Sequence, residues 1–260
     1  MKKNLILLVL ATLMFVACEQ KENIQLPTSK FYNSRLDIVK KGGKLQLNQV
    51  GKDSINVIYG DSAIFKIDSN LHYNLFKRFE TELNLVPRFN SSLLKFDQNT
   101  SIKTISTVLD ELFKIDLRGI TFLTSGNKGV TIRINRPTSK NLFYHPYVSE
   151  NYIPHPKPPQ INIDSLIADQ NTLQVSINNS KINVNTNQNI KVDLKNEIFL
   201  KEQIFIIYRL DSTAKYQDLI SIYDFVFYSI TDLRKNMAIL EGNLSEQAAK
   251  KKYPIRMLRI

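Results

Sequence analysis

The sequence predicts an α+β protein made of two tandem, small two-layer sandwiches, each a short sheet with helices on one face. Two observations lead there. One strand–turn–helix stretch occurs twice, over residues 93–113 and 207–227. Around both copies, short β-branched runs alternate with segments whose apolar residues recur at three- and four-residue steps. Each copy starts as an apolar run ending in Asp (Asp97, Asp211), continues through hydroxyl residues (Thr100 and Ser101, Ser212 and Thr213), and then enters a helical stripe. A second Asp follows the first by thirteen residues in both copies, at Asp110 and Asp224. Two copies are too few for a solenoid, so the expectation is tandem domains.

The chain opens with a basic start, an apolar run over residues 5–17 and small residues before Cys18, the pattern of a secretion signal. Thirteen apolar residues are fewer than the ~20 that span a bilayer as a helix. Phe15-Val16-Ala17-Cys18 is similar to the lipobox of bacterial lipoproteins, with Phe15 where Leu is usual, and so implies a lipid on Cys18. An uncleaved anchor or a buried thiol would be the other uses of these residues. A lipid would hold the chain firmly, since each buried CH₂ contributes ~0.8 kcal/mol. Cys18 is the single cysteine, so no disulfide supports the fold. The formal charge is +11. In an exported protein that argues for anionic phospholipid or cell-wall polymer rather than nucleic acid, or simply for a basic surface. Glu19, and not Asp, follows Cys18, and acidic residues at 19 and 22 are similar to surface-export signals of Bacteroidetes lipoproteins; both favour a lipid-anchored, periplasm-facing place at the outer rather than the inner membrane.

The expected organisation is a signal at 1–17, a polar tether at 18–30, a first domain at 31–135, a Pro/Tyr-rich linker at 136–163 and a second domain at 164–260. In the first domain, residues 36–39, 45–47, 55–59 and 63–67 read as strands, with Gly60-Asp61 as a tight turn. Residues 71–83 have helical spacing, 92–96 form a strand, and Ile102, Ile105, Leu109 and Leu112 make a helix stripe widened by Val108. Residues 120–124 follow as the closing strand and 130–134 as an added edge strand. The linker carries Pro137, Pro146, Pro154, Pro156, Pro158 and Pro159 among Phe143, Tyr144, Tyr147 and Tyr152. Repeated proline makes it stiff and extended, and its aromatics either pack back or form a docking strip. In the second domain, 172–177 and 181–184 read as a hairpin, 190–200 as a short helix, and 203–209 as a central strand. Tyr216, Leu219, Ile220, Tyr223, Val226, Phe227 and Ile230 form the helix stripe. Residues 233–240 read as the last strand, and 245–252 as a terminal helix stopped by Pro254.

With these elements in place, the chain resembles the periplasmic domain of the ExbD/TolR biopolymer transport family: a β-hairpin, a helix, a strand ending in an acid, a helix of the type Y-x-x-V/L-I/V-x-V-x-D, and a final strand. Tyr216-Gln-Asp-Leu-Ile-Ser-Ile-Tyr-Asp224 follows this pattern after Phe205-Ile-Ile-Tyr-Arg-Leu-Asp211. Ile102-Lys-Thr-Ile-Ser-Thr-Val-Leu-Asp110 is the looser copy, with Ile102 at the aromatic position. The resemblance covers most of residues 45–125 and 170–240. It implies an accessory or scaffold of a Ton- or Tol-type energy-transduction and transport complex, with ExbB-, ExbD-, TonB- or Tol-like partners. Family members also carry a membrane helix with an embedded Asp. The apolar run at 5–17 has no acid, so the chain is expected not to conduct protons itself. A structural, peptidoglycan-binding outer-membrane lipoprotein is the alternative.

Chemistry-bearing constellations are sparse, and a non-enzyme without cofactor or metal is expected. His72, His145 and His155 lack metal-ligand spacing, and no phosphate loop or nucleophile elbow is present. Asp97 and Asp211 read as turn and capping residues worth ~1 kcal/mol each rather than as catalysts. Tyr216, Tyr223 and Phe227 read as core. Asp110 and Asp224 are either solvated helix surface or contacts to a partner. The basic end, Lys250, Lys251, Lys252 and Arg256 with Arg259, is either a solvated terminus or a contact to an anionic polymer or lipid head group.

Overall fold

A computed structural model describes residues 24–30, 34–35, 45–59, 61–83, 91–115, 119–133, 163–178, 181–240, 245–254 and 256–259. The expected strand at 36–39, the Gly60 turn position, Cys18 and residues 136–162 of the linker lie outside the described residues.

The strands are β1 (Ser34–Arg35), β2 (Leu45–Gly51), β3 (Ser54–Tyr59), β4 (Asp61–Lys66), β5 (Ser91–Lys95), β6 (Gly119–Thr124), β7 (Lys128–Arg133), β8 (Thr172–Asn178), β9 (Lys181–Thr186), β10 (Phe205–Arg209) and β11 (Met257–Arg259). The helices are α1 (Leu71–Leu83), α2 (Ile102–Lys114), α3 (Ile163–Ala168), α4 (Leu194–Lys201), α5 (Tyr216–Leu240) and α6 (Glu246–Lys252). The first sheet has the order β1-β7-β6-β5-β2-β3-β4 and the second β11-β10-β8-β9. The fold is α+β, as expected.

Strand order shows the repeat more plainly than residue identity does. In the first half β5 lies parallel to both β2 and β6, and β2 pairs antiparallel with β3. In the second half β10 lies parallel to both β8 and β11, and β8 pairs antiparallel with β9. Hairpin, helix, strand, helix, strand therefore recurs with the same neighbours. The first sheet is longer because β4 extends its hairpin side and β7 extends its β6 side. The run at 203–209 does become a central strand, with a neighbour on each side.

Local sequence explains the two matching helices. In α2, Ser101 accepts from the Thr104 amide at 3.1 Å, satisfying one of the unpaired N–H groups of the first turn. Ile102, Ile105, Val108, Leu109 and Leu112 are all buried along one stripe. At ~1.5–3 kcal/mol for each fully buried side chain, that stripe outweighs any capping term. In α5 the Asp218 carboxylate accepts from the Lys215 amide at 2.8 Å, a reach back to the start of the helix.

The structure corrects three expectations. Residues 233–240 are helical and continue α5 to Leu240. Leu233 and Met237 extend the stripe from Ile230 at three- and four-residue steps and are buried, so the helical period outweighs any extended reading. The strand completing the second sheet is β11, placed after α6. The strand expected at 130–134 spans Lys128–Arg133 and is not the sheet edge over its whole length, because β1 pairs with Lys128 and Gly129 on its outer side. Finally, most of the buried hydrophobic residues form one cluster running through both halves, from Leu45 to Tyr253, with a small separate one at Leu93 and Leu123. The halves repeat each other, but they share a core.

Candidate functional site

The shared core is centred on the two copies of the strand–turn–helix stretch. Each turn is built by its aspartate: the Asp97 carboxylate accepts from the Asn99 amide at 2.8 Å, and the Asp211 carboxylate from the Thr213 amide at 2.8 Å and the Thr213 hydroxyl at 2.6 Å. The hydrogen bonds from Thr213 hold the Asp211 carboxyl below its ordinary value. Buried Gln49, from β2, adds a second brace to the first turn, accepting from the Asp97 amide at 2.9 Å and the Thr100 hydroxyl at 2.6 Å.

The turns then meet. Ser101 and Lys215 pair as an antiparallel bridge. The Ile102 amide donates to the Ala214 carbonyl at 2.8 Å, and the Tyr216 amide donates to the Thr100 carbonyl at 2.8 Å. These two bonds are the same bond made in both directions, since Ile102 and Tyr216 each open a helix and Thr100 and Ala214 each stand two residues earlier. The repeat units are therefore related by a local two-fold axis at the Ser101–Lys215 bridge. This is the isologous arrangement of a homodimer, made within one chain.

Side chains fill the seam asymmetrically. Tyr216 is fully buried and meets Phe96 and Phe122 of the first half edge-on, at centroid distances of 6.2 and 5.7 Å. Phe122 stacks on Tyr223 at 5.8 Å, and Tyr223 on Phe227 at 5.8 Å. Tyr223 also shares a 2.6 Å hydrogen bond with the Tyr208 hydroxyl. Such pairs contribute ~0.5–1.5 kcal/mol each beyond area burial. The Tyr216 hydroxyl has no hydrogen-bond partner among the described residues, and burial pushes its phenol well above the ordinary value. The equivalent position in the first copy is Ile102, so the aromatic column is contributed once rather than twice.

A strap crosses this seam. The polar segment expected to be a tether lies against the body over residues 24–30. The Gln25 amide donates to the Asp97 carboxylate at 2.8 Å, and the Gln25 carbonyl accepts from the Gln98 amide at 2.6 Å. The Pro27 carbonyl accepts from the Ser125 amide, at the β6–β7 turn, at 2.9 Å. The Gln217 side chain then reads the Thr28 backbone twice, accepting from its amide at 2.8 Å and donating to its carbonyl at 3.1 Å. Asp224 closes the strap: its carboxylate accepts from the Ser29 hydroxyl at 2.5 Å and the Lys30 amide at 2.8 Å. Pro27 is buried beneath, and Leu26 is half-buried. The strap thus starts on the first half and ends on α5 of the second, bonded chiefly through its backbone.

The sequence-predicted residues fall in different places. Asp224, one of the two partner-contact candidates, accepts hydrogen bonds from the chain's own strap. Asp110 is half-buried at the matching position of α2. Lys250 and Lys251 are exposed on α6. Lys252 lies 3.5 Å from Glu202 and its ammonium sits over the Tyr253 ring, while Arg256 donates to Gln203 at 2.9 Å. These basic residues stand apart from the seam, near α4 and β10. Cys18 lies outside the described residues.

Sequence reasoning missed Glu111 and the strap. Glu111 is 3 % exposed between α1 and α2, accepting from the His72 ring at 2.6 Å, the His72 amide at 3.2 Å and the Lys114 ammonium at 2.6 Å. A lone Glu in a helix carries no signal for this. The strap did carry one: Pro27-Thr28-Ser29-Lys30 recurs as Pro137-Thr138-Ser139-Lys140. No group of three or more His, Cys, Asp or Glu placed to hold a metal occurs among the described residues. None of the helices among them is long and apolar enough to cross a membrane.

Fold and seam together define an internally duplicated α+β protein whose two units form a dimer-like pair. No protein-family model, curated protein or solved structure matches the chain.

Proposed function

We propose that the chain is a lipid-anchored, periplasm-facing envelope protein with two ExbD/TolR-like units, acting as an accessory or scaffold of a Ton- or Tol-type energy-transduction and transport complex. The observation that carries this is the duplicated strand order closing on itself about the Ser101–Lys215 bridge. A chain that already holds both halves of a dimer offers a partner one composite surface at fixed stoichiometry. In this reading it acts by holding proteins together, and Cys18 carries the lipid. The strap begins six residues after Cys18, so the body stands within ~20 Å of the anchor, at ~3.4 Å for each extended residue.

The test is crosslinking in cells, followed by purification of the native lipidated protein and mass spectrometry. Recovery of ExbB-, ExbD-, TonB- or Tol-like proteins is the expected result. Their consistent absence, with the bait itself well recovered, overturns the proposal. The exposed Lys250 and Lys251 favour a second reading, a structural outer-membrane lipoprotein that binds peptidoglycan. That reading expects sedimentation with purified sacculi that weakens as salt rises, and a loss of sedimentation in the double variant Lys250→Glu/Lys251→Glu.

A further inference from the structure

We propose that the far end of α5, with the ends of α4 and α6 beside it, docks on an anionic lipid bilayer. The proposal goes beyond the envelope role and needs no lipid on Cys18.

Helix lengths create the surface. Helix α5 has 25 residues and is ~37 Å long, whereas the 5 residues of β10 before it span only ~17 Å, so the far end of the helix outruns that strand. The buried stripe of α5 stops at Met237. Ile239 and Leu240 follow it and are each 77 % exposed. Helix α6 then returns along α5. It starts at Glu246, and by Tyr253 the backbone carbonyl accepts from Arg234 Nε at 2.9 Å, a point ~9 Å before Leu240 along the helix axis. Helix α4 ends at the same place: Glu202, just past it, lies 3.5 Å from Lys252, and Gln203 accepts from Arg256 at 2.9 Å. This brings Leu200, 72 % exposed in the last turn of α4, to the pole, with exposed Phe199 before it. Ile239, Leu240 and Leu200 are the three most exposed large apolar side chains among the described residues. Single exposed apolar residues are ordinary, but their gathering at one pole marks a contact surface.

Charge identifies the occupant. Residues 246–256 carry four cations, Lys250, Lys251, Lys252 and Arg256, against one acid, Glu246. Lys250, Lys251 and Arg256 are exposed, and so is Lys235, one turn before Ile239 on the same helix face. Two acids of the pole are already paired, Glu202 with Lys252 and Asp232 with Lys195. A second copy of the chain would bring like charge against like and be repelled. Interfaces between proteins are depleted of Lys. A bilayer suits both sets of residues: aliphatic side chains enter the acyl boundary while Lys ammoniums stay at the level of anionic head groups. The strap is held at the other end of α5, by Gln217 and Asp224, so this contact adds to any lipid on Cys18 rather than following from it.

The test is trypsin digestion of the full chain with vesicles of phosphatidylcholine, alone or mixed with phosphatidylglycerol. Cleavage after Lys250 and Lys251 is followed by mass spectrometry, with exposed Lys52 in the β2–β3 turn as the internal reference. At low salt, anionic vesicles are expected to slow cleavage at the pole at least ~10-fold relative to Lys52, and added salt to restore it. Neutral vesicles are expected to slow it far less. The double variant Ile239→Asn/Leu240→Asn changes exposed side chains only and is expected to lose most of the shielding. No slowing, or equal slowing by neutral vesicles, overturns the proposal. Shielding that survives Ile239→Asn/Leu240→Asn overturns it too, since that marks a head-group contact without insertion. Shielding by purified sacculi or an acidic protein, but not by anionic vesicles, assigns the pole to that partner and overturns the bilayer. None of these readings depends on which proteins crosslinking recovers.

Discussion

Replacing Asp224 with alanine should release the strap while leaving the body folded. The Asp224 carboxylate takes two hydrogen bonds from the strap, from the Ser29 hydroxyl at 2.5 Å and the Lys30 amide at 2.8 Å. Hydrogen bonds to a charged group contribute ~1.5–3 kcal/mol each, and the partial exposure of this site argues for the low end. Together they hold the closed strap by ~2–3 kcal/mol. At 1.4 kcal/mol for each factor of ten, opening becomes ~30–100-fold more frequent. The assay is limited trypsin digestion under native conditions, following cleavage after Lys30 by mass spectrometry. Where opening and closing are fast, the cleavage rate follows the population of the open form. The unfolding midpoint in urea should move much less, because the remaining strap contacts and the shared core are untouched. Equal cleavage rates after Lys30 in the two proteins would refute the assignment of Asp224 as the strap's clasp. A matching collapse in global stability would instead mean that the strap is part of the cooperative core.

Three further outcomes follow from the same structure. Tyr216→Phe removes a buried hydroxyl that has no partner among the described residues, so it should raise stability by ~1 kcal/mol in urea unfolding; a loss of that size would reveal a partner. Glu111→Ala leaves His72 and Lys114 without their shared buried carboxylate and should cost ~2–4 kcal/mol, while a change below ~0.5 kcal/mol would show that the cluster is solvated. Asp211 is held below its ordinary value of 3.8 by Thr213, so its contribution to the turn is present above 3.8 and is lost as pH falls further, through the folded value. In Thr213→Ala the Asp211 carboxyl should titrate closer to 3.8 by NMR, and an unchanged titration would count against the hydroxyl as cause.

Strand and helix identities were legible wherever a period ran long enough. The stripe of α2 and the apolar run of β10 each bury in the way their spacing implies, because one face of a helix or both faces of a central strand must leave water. The failure at 233–240 has the same root. Lys235 and Asn236 lie on the outer face of a helix, half-buried Asp232 and Arg234 flank it through bonds to Lys195 and the Tyr253 carbonyl, and a short window over these polar residues hides the Ile230–Leu233–Met237 stripe beneath. The strap left little more than its repeated Pro-Thr-Ser-Lys in the sequence, for a different reason. Its bonds run mostly through backbone atoms, which every sequence possesses, and its partners lie as far away as 195 residues along the chain.

By itself the sequence determined the duplication, the α+β class and the positions of the two aspartate turns, all of which are local patterns. Only the tertiary structure decided that the two units pair through those turns, that their cores merge, and that Asp224 serves the chain's own strap. These depend on groups brought together from distant parts of the chain, and local periodicity carries no information about which distant surfaces will meet.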